Sequence, residues 1–365
     1  MREPNAIDFW RGFALITIFI NHIPGNAFQR FTYSQYSISD AAELFVFLAG
    51  WSLALATEGK GAPDPPGRVL LRIASRTVEV YVAQGILMLL ALGLIAGAAL
   101  VLNNPVLLEW HNAGPFFADP IQTTVGIVLL THQLGYFNIL PLYVGLLALA
   151  PLFVLIARHS RWLALSGSLA LYALRLTFQI NLPSWPVEGR WFFNPLAWQF
   201  LFVLGFLSSL WARDSEAFRL WAQRLMPVGV LGVVVGLIVS VRGIGIDPYS
   251  VPEPRLFFVL DKSYVSPLRL LSFLALVLAF QGVFDVLAPR LPRLAAALSA
   301  LGRNSLSVFS VGSISGLAIQ LIRATVPRNI ILDAVLVGSG ILLLLFTAWF
   351  VEWRSRSPRP SSLRH

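Results

Sequence analysis

The sequence predicts an all-α fold, a polytopic transmembrane helix bundle of about ten spans with both termini cytoplasmic. Three observations predict it. Hydrophobic residues make up 56% of the 365-residue chain and charged residues only 12%, more apolar surface than a soluble domain needs. Stretches near twenty apolar residues recur along its whole length, each enough to cross a hydrocarbon core about 30 Å thick. Basic residues gather on alternate connections, the bias that orients membrane proteins.

The first span covers 7–23; its acidic, weakly basic lead and polar Asn21-His22 end read as an uncleaved span rather than a secretory signal. The second, 40–57, opens on Asp40 and Glu43. A break from Gly59 to Gly67, with Pro63, Pro65 and Pro66, precedes a basic helix from about Arg68 that leads into the third span, 78–102. The outer connection Asn103–Phe137 holds Ile121–Leu130, apolar but too short to span, and so re-entrant or interfacial. Spans 138–157 and 162–180 are joined by Arg158-His159-Ser160-Arg161, a link short enough to force antiparallel neighbours. Spans 195–211, 227–242, 266–287, 304–323 and 330–351 complete the bundle. One transmembrane domain, 1–353, is expected, followed by a disordered cytoplasmic tail, 354–365, rich in Arg, Ser and Pro. No strong internal repeat is evident.

The formal charge of +9 is topological. With the N-terminus inside, most of the 27 Lys and Arg fall on cytoplasmic segments; the outer loops hold Arg30, Arg190, Arg255, Lys262 and Arg328, and Asn103–Phe137 holds none. The lipid bilayer is therefore the expected partner, and nucleic acid is not. Cysteine is absent, which excludes disulfides, a thiolate nucleophile and thiolate metal sites. His111 and His132 in the long outer loop are weak candidates; nothing pairs them at a spacing such as H-E-x-x-H, and no metal is expected.

Arg11 and His22 lie eleven residues apart on the first span. At 100° per residue they return to nearly one face, with a rise of roughly 16 Å. Ionisable groups inside a bilayer usually line a polar path. His22, near the outer end, is the candidate general base, because imidazole exchanges protons near neutral pH. Asp40 and Glu43 begin the second span at about the same depth. A carboxylate there accepting the imidazole N–H would stabilise the imidazolium, as in hydrolase triads. The same pair spells a capping box, and both readings can hold together.

Arg68, Arg72 and Arg76 recur every fourth residue on the inner approach to the third span. Such guanidinium groups suit the phosphates of a nucleotide-like acyl donor; ordinary positive-inside anchoring explains them equally. Arg175 and Arg269 are in-span arginines toward the outer ends of the fifth and eighth spans. Asn194, Trp198 and Gln199 begin the sixth beside them, a lining that suits an anionic acyl group or a sugar, with snorkelling to the surface as the alternative for the arginines. The aromatics on the outer face fit a substrate mouth or an interfacial belt.

At these residues the chain resembles a known family. Arg11, ten residues, then His22 is similar to the hallmark of the acyltransferase-3 superfamily of membrane acyltransferases. Several blocks resemble the OpgC family, which succinylates osmoregulated periplasmic glucans. They are Ile7-Asp8-Phe9-Trp10-Arg11-Gly12, His22-Ile23-Pro24-Gly25-Asn26, Ser39-Asp40-Ala41-Ala42-Glu43-Leu44-Phe45-Val46-Phe47 and Trp191-Phe192-Phe193-Asn194-Pro195-Leu196-Ala197-Trp198-Gln199. Asp261-Lys262-Ser263, Pro267-Leu268-Arg269-Leu270 and Gly302-Arg303-Asn304-Ser305-Leu306 extend the likeness to the ninth span. Two departures stand out: Asn21, where family members often carry Asp, and Ala49-Gly50-Trp51, where they often read Ser-Gly-Tyr.

The resemblance implies a ten-span inner-membrane enzyme with an acyl-CoA donor on the cytoplasmic side and a periplasmic glycan acceptor outside. The family histidine maps onto His22 and its inner arginines onto Arg72 and Arg76. The expected reaction is O-acyl transfer, with succinyl-CoA as donor substrate. The competing expectation is a transporter or export subunit for a glycan or acyl compound, with the same polar groups lining a path. Transporters often show two related halves, and none is detected.

Overall fold

The computed structural model describes residues 3–59, 64–242, 259–327 and 329–355. The tail 356–365, Arg255, Arg328, most of the loop 243–265 and part of the proline-rich break lie outside the described residues.

Helices dominate, and their ends are written in local chemistry. α1 (Ala6–Asn21) starts where the Asn5 side chain accepts the Asp8 amide at 2.9 Å. α2 (Ala41–Thr57) starts on a complete capping box: Asp40 accepts the Ala42 amide at 2.8 Å, and Glu43 accepts the Asp40 amide at 3.0 Å. α3 (Pro66–Val101) places Pro66 in its first turn, where a missing N–H costs nothing. In the connection Asn103–Phe137, a 3₁₀ segment and two short helices, α4 (Gly114–Ala118) and α5 (Pro120–Val128), follow. α5 has nine residues, which agrees with a segment too short to span.

α6 (Ile139–His159) and α7 (Arg161–Phe178) meet at Ser160, which caps α7 by accepting the Leu163 amide at 3.2 Å. A two-residue antiparallel ladder, Pro183–Ser184 with Gly189–Arg190, precedes α8 (Pro195–Asp214). Then come α9 (Glu216–Arg224), α10 (Met226–Val241), α11 (Pro267–Phe280), α12 (Val283–Arg290), α13 (Pro292–Arg303), α14 (Ser305–Thr325) and α15 (Ile330–Arg354).

Nine of the ten apolar segments read from the sequence lie on one helix each, and the tenth, 266–287, is divided between α11 and α12. α3, α6, α8, α14 and α15 are long and apolar enough to cross a membrane. Two bent pairs, α9 with α10 at 44° and α11 with α12 at 48°, raise that number to seven. α2, at 17 residues, is shorter than that length.

The stretch 288–303, a connection between two spans by hydropathy, instead carries α13, packed along α1. The approach is glycine-dependent on both sides. A Cβ at Gly12 would strike the Leu298 carbonyl, and one at Gly302 the Asp8 carbonyl. α2 and α8 repeat the device through Gly50 and Gly205, set against the carbonyls of Phe202 and Phe47. Small residues at such crossings let backbones approach closely, which matters where lipid supplies no hydrophobic drive.

Candidate functional site

His22 is the C-cap of α1, and the chain turns immediately after it. That turn is tied down from several sides. The Asn26 amide donates to the carbonyls of Ile20 (2.8 Å) and Ile23 (2.6 Å). Gln320 of α14 donates to the His22 carbonyl. Arg323 donates to the carbonyls of Pro24 (2.6 Å) and Gly25 (2.9 Å) and pairs with Asp333 of α15 at 2.8 Å. Asp333 in turn accepts the Ala27 amide at 2.8 Å. The imidazole is thus held by a backbone that α14 and α15 grip.

The ring of His22 lies 5.0 Å from Tyr136 and 6.5 Å from Phe309. Beyond Tyr136, at 5.2 Å, lies His111. His111, Asn112 and Tyr136 adopt left-handed backbone, with φ of 55°, 66° and 67°. Each costs of order 1 kcal/mol for a residue with a side chain, and such strain gathers at functional sites. Burial pushes the His111 and His132 imidazoles below their ordinary range. Nε2 of each is buried without a hydrogen-bond partner.

The two candidate carboxylates are engaged elsewhere. Glu43 is fully buried and accepts from Nε of Arg269 at 2.8 Å; Arg269 also donates to the Leu260 carbonyl at 2.9 Å. Asp40 pairs with Lys262. Neither is bonded to the His22 imidazole, so the triad-like contact expected from the sequence is not formed. Capping and inward-facing roles coexist, as the spacing allowed. Asn21 turns toward the following loop: it donates to Ser34 Oγ at 3.1 Å and accepts from Thr32 Oγ1 at 3.0 Å.

Toward the other end of α1 lies a cavity of about 360 Å³. Arg11, Arg72, Arg76 and Arg303 line it, with Ser52, Tyr143 and Ser305, against apolar walls that include Leu140, Leu306 and Phe309. Arg11 pairs with Asp8 at 3.5 Å and donates to Ser52 and, at 3.2 Å, to the Gly302 carbonyl. Arg72 pairs with Asp64 at 2.8 Å, Arg76 with Glu79 at 2.7 Å and Arg303 with Glu352 at 2.8 Å. Each guanidinium therefore keeps one carboxylate as its counter-ion. Arg68, also on Asp64 at 3.1 Å, is mostly exposed and does not line the cavity. A second, much smaller space beside His22 is lined by Leu15, Phe19, Phe309 and Gly312 among others. Phe309 is a wall of both.

Asn194, Trp198, Gln199 and Arg175 are buried and line neither space. Asn194 caps α8 and donates to the Ile180 carbonyl at 2.7 Å. Trp198 Nε1 donates to the Lys262 carbonyl at 3.1 Å, and Gln199 joins Ser168 of α7. Arg175 donates to the Ser263 carbonyl at 3.0 Å and stacks 4.7 Å from the Tyr264 ring. These four stitch α7, α8 and the segment before α11 together. Among the described residues no three His, Asp or Glu side chains gather as a metal ion would require.

Arg303, Phe309, Gln320, Arg323 and Asp333 were not singled out from the sequence. Arg303 carried a signal, sitting in one of the family-like blocks. The other four are ordinary residues on apolar helices until packing brings them to His22.

A helical bundle with five to seven helices among the described residues fit to cross a membrane, and polar residues enclosed between helices, defines a membrane protein. The family model described as OpgC protein matches residues 2–356, and the chain belongs to that family. Neither a curated protein nor a solved structure matches it.

Proposed function

We propose that this chain is an inner-membrane O-acyltransferase that moves an acyl group, succinyl by the family resemblance, from cytoplasmic acyl-CoA to a periplasmic glucan. OpgC membership supports the reaction class. One observation carries the rest: an arginine-lined cavity on one side of Phe309 and His22 on the other. In this reading all ten apolar segments span the bilayer as one domain, 1–353, and both termini are cytoplasmic.

The donor's phosphates bind at Arg11, Arg72 and Arg76, which present fixed donor forks to anionic oxygens. Its acyl end passes Phe309 toward His22. A sugar hydroxyl arriving from the outer side gives its proton to the His22 imidazole as its oxygen bonds to the thioester carbonyl carbon. The C–S bond then breaks, and the leaving thiolate takes the proton from the imidazolium, giving the sugar ester and free CoA. The thioester is already activated, so positioning and one base are chemically sufficient. Asp40 and Lys262 neutralise each other at this end of the bundle. Glu43 and Arg269 hold this outer end together rather than meeting the acyl group, because each satisfies the other.

Purified protein supplied with labelled succinyl-CoA and a β-glucan tests the proposal. The expected result is label in the glucan as an alkali-labile ester with a mass gain of one succinyl unit. Uptake of glucan or donor into vesicles with no ester formed would instead assign a transporter.

A further inference from the structure

Four rings stand in a row that ends on the candidate base. Trp110, His111, Tyr136 and His22 follow one another with centroids 5.8, 5.2 and 5.0 Å apart. All four are partly exposed, and Trp110, His111 and Tyr136 line neither of the two spaces described above. Those three come from the connection Asn103–Phe137, which contributes nothing to the arginine-lined cavity. The row therefore reaches His22 from a different element than the cavity does.

The backbone is bent to make this row. Tyr136 holds φ at 67°, a conformation that a bulky side chain avoids, although the residue before it is a glycine without positive φ. The strained position thus carries the ring, and the permissive residue stands beside it. His111 and Asn112, also left-handed, are tied to the same turn. The Gly135 amide donates to the His111 carbonyl at 2.8 Å, and Asn112 Nδ2 donates to the Gln133 carbonyl at 3.2 Å. Leu134 and Phe137 are buried and anchor the turn, while Tyr136 between them keeps exposed surface beside His22. An interfacial belt does not account for this, because belt aromatics need neither a strained backbone nor an imidazole as neighbour. Strain of this kind persists where the surrounding structure holds a side chain for use.

We propose that Tyr136 is an acceptor-binding residue, its ring packing against the C–H face of a pyranose and so presenting a sugar hydroxyl to His22. The assignment rests on the acyl-transfer reading given above. A pyranose carries hydroxyls around its rim and apolar C–H groups on its faces. An aromatic ring holds it by burying one face, which leaves the rim free to bond and react. His111 backs the Tyr136 ring edge-on, at 74°, and Trp110 continues the row for the next sugar of a glucan chain.

Steady-state kinetics of the full chain in detergent, with succinyl-CoA and a β-glucan varied separately, test this. Tyr136→Leu should raise the KM for glucan roughly tenfold while the KM for succinyl-CoA stays at the parent's value. Tyr136→Phe, which keeps the ring, should recover most of that loss. A residue that only supported the fold would not move one KM alone. On unaltered protein, nitration of Tyr136 by tetranitromethane, read by peptide mass spectrometry, should be slowed by the glucan. If ester forms but the glucan KM of Tyr136→Leu equals the parent's, or Tyr136→Phe loses as much as Tyr136→Leu, the assignment is overturned and the acyl-transfer reading stands. Where Tyr136→Leu does not fold, equal nitration with and without glucan overturns it in the same way. Parent protein that forms no ester overturns the acyl-transfer reading, and this assignment with it.

Discussion

His22 owes its place to backbone more than to its own bonds: Gln320, Arg323 and Asn26 hold the turn around it, while its ring meets Tyr136 and Phe309. Replacing the ring should therefore leave the fold intact. His22→Ala is expected to keep its melting temperature and lose 10²–10⁴-fold in turnover, about 3–5 kcal/mol of barrier stabilisation. Turnover equal to the parent's would remove His22 as the base. Glu43 should behave in the opposite way. Its carboxylate neutralises Arg269 where neither is reached by solvent, so Glu43→Gln leaves a buried cation unpaired, at a cost of about 3–5 kcal/mol. Adding Arg269→Met should recover part of that loss. Melting curves in detergent check both steps, and a Glu43→Gln curve superimposable on the parent's would show that the pair is not structural.

At the scale of elements, the connection from Asn103 to Phe137 is the part most open to pH. His132 is buried there and His111 half-buried, each with one nitrogen buried and unpaired, and burial holds both imidazoles below the ordinary value of 6.5. A depressed folded-state pKa means that, as pH falls through about 6.5, the unfolded chain takes up protons that the folded chain refuses. Stability is thus fully present above that pH and lost as pH falls toward the folded-state values. Thermal melts at pH 7.5 and 5.5 should show a drop at the lower pH that shrinks in a His111→Gln, His132→Gln double variant. An unchanged drop would place the sensitivity elsewhere. These connecting elements were only partly legible beforehand. Ile121–Leu130 was seen to be too short to span because length alone decides that. α13 does not stand out in the sequence because it is short, ends in arginine and buries small residues rather than a long apolar run; its meaning lies in the helices it packs against.

For the molecule as a whole, the charge bias makes a definite claim about sidedness. With both ends cytoplasmic, green fluorescent protein fused after residue 355 should fluoresce, and alkaline phosphatase inserted near Asn112, in the arginine- and lysine-free outer loop, should be active. The reverse pattern would invert the proposed direction of transfer. Apolar length and hydropathy were enough to locate every long helix, and the motif blocks were enough to point to the family that residues 2–356 match. The capping box at Asp40 and Glu43 was equally legible, because a cap is a property of four neighbouring residues.

The site itself divided differently. Arg11, Arg72 and Arg76 were found from spacing along single helices, and they do line one cavity. Arg68 shares their spacing and was grouped with them, yet it faces away. Asn194, Trp198, Gln199 and Arg175 looked like a lining and proved to be fasteners between helices. Arg303, Phe309 and the Arg323–Asp333 pair took their roles only when distant helices met. Periodicity, hydropathy and caps are local, so the chain alone determines which segments are helical and which way each presents its charges. Which carboxylate meets Arg269, which side chain holds the His22 turn, and which ring stands between a cavity and an imidazole depend on contacts between residues hundreds of positions apart, and only the tertiary packing decides those.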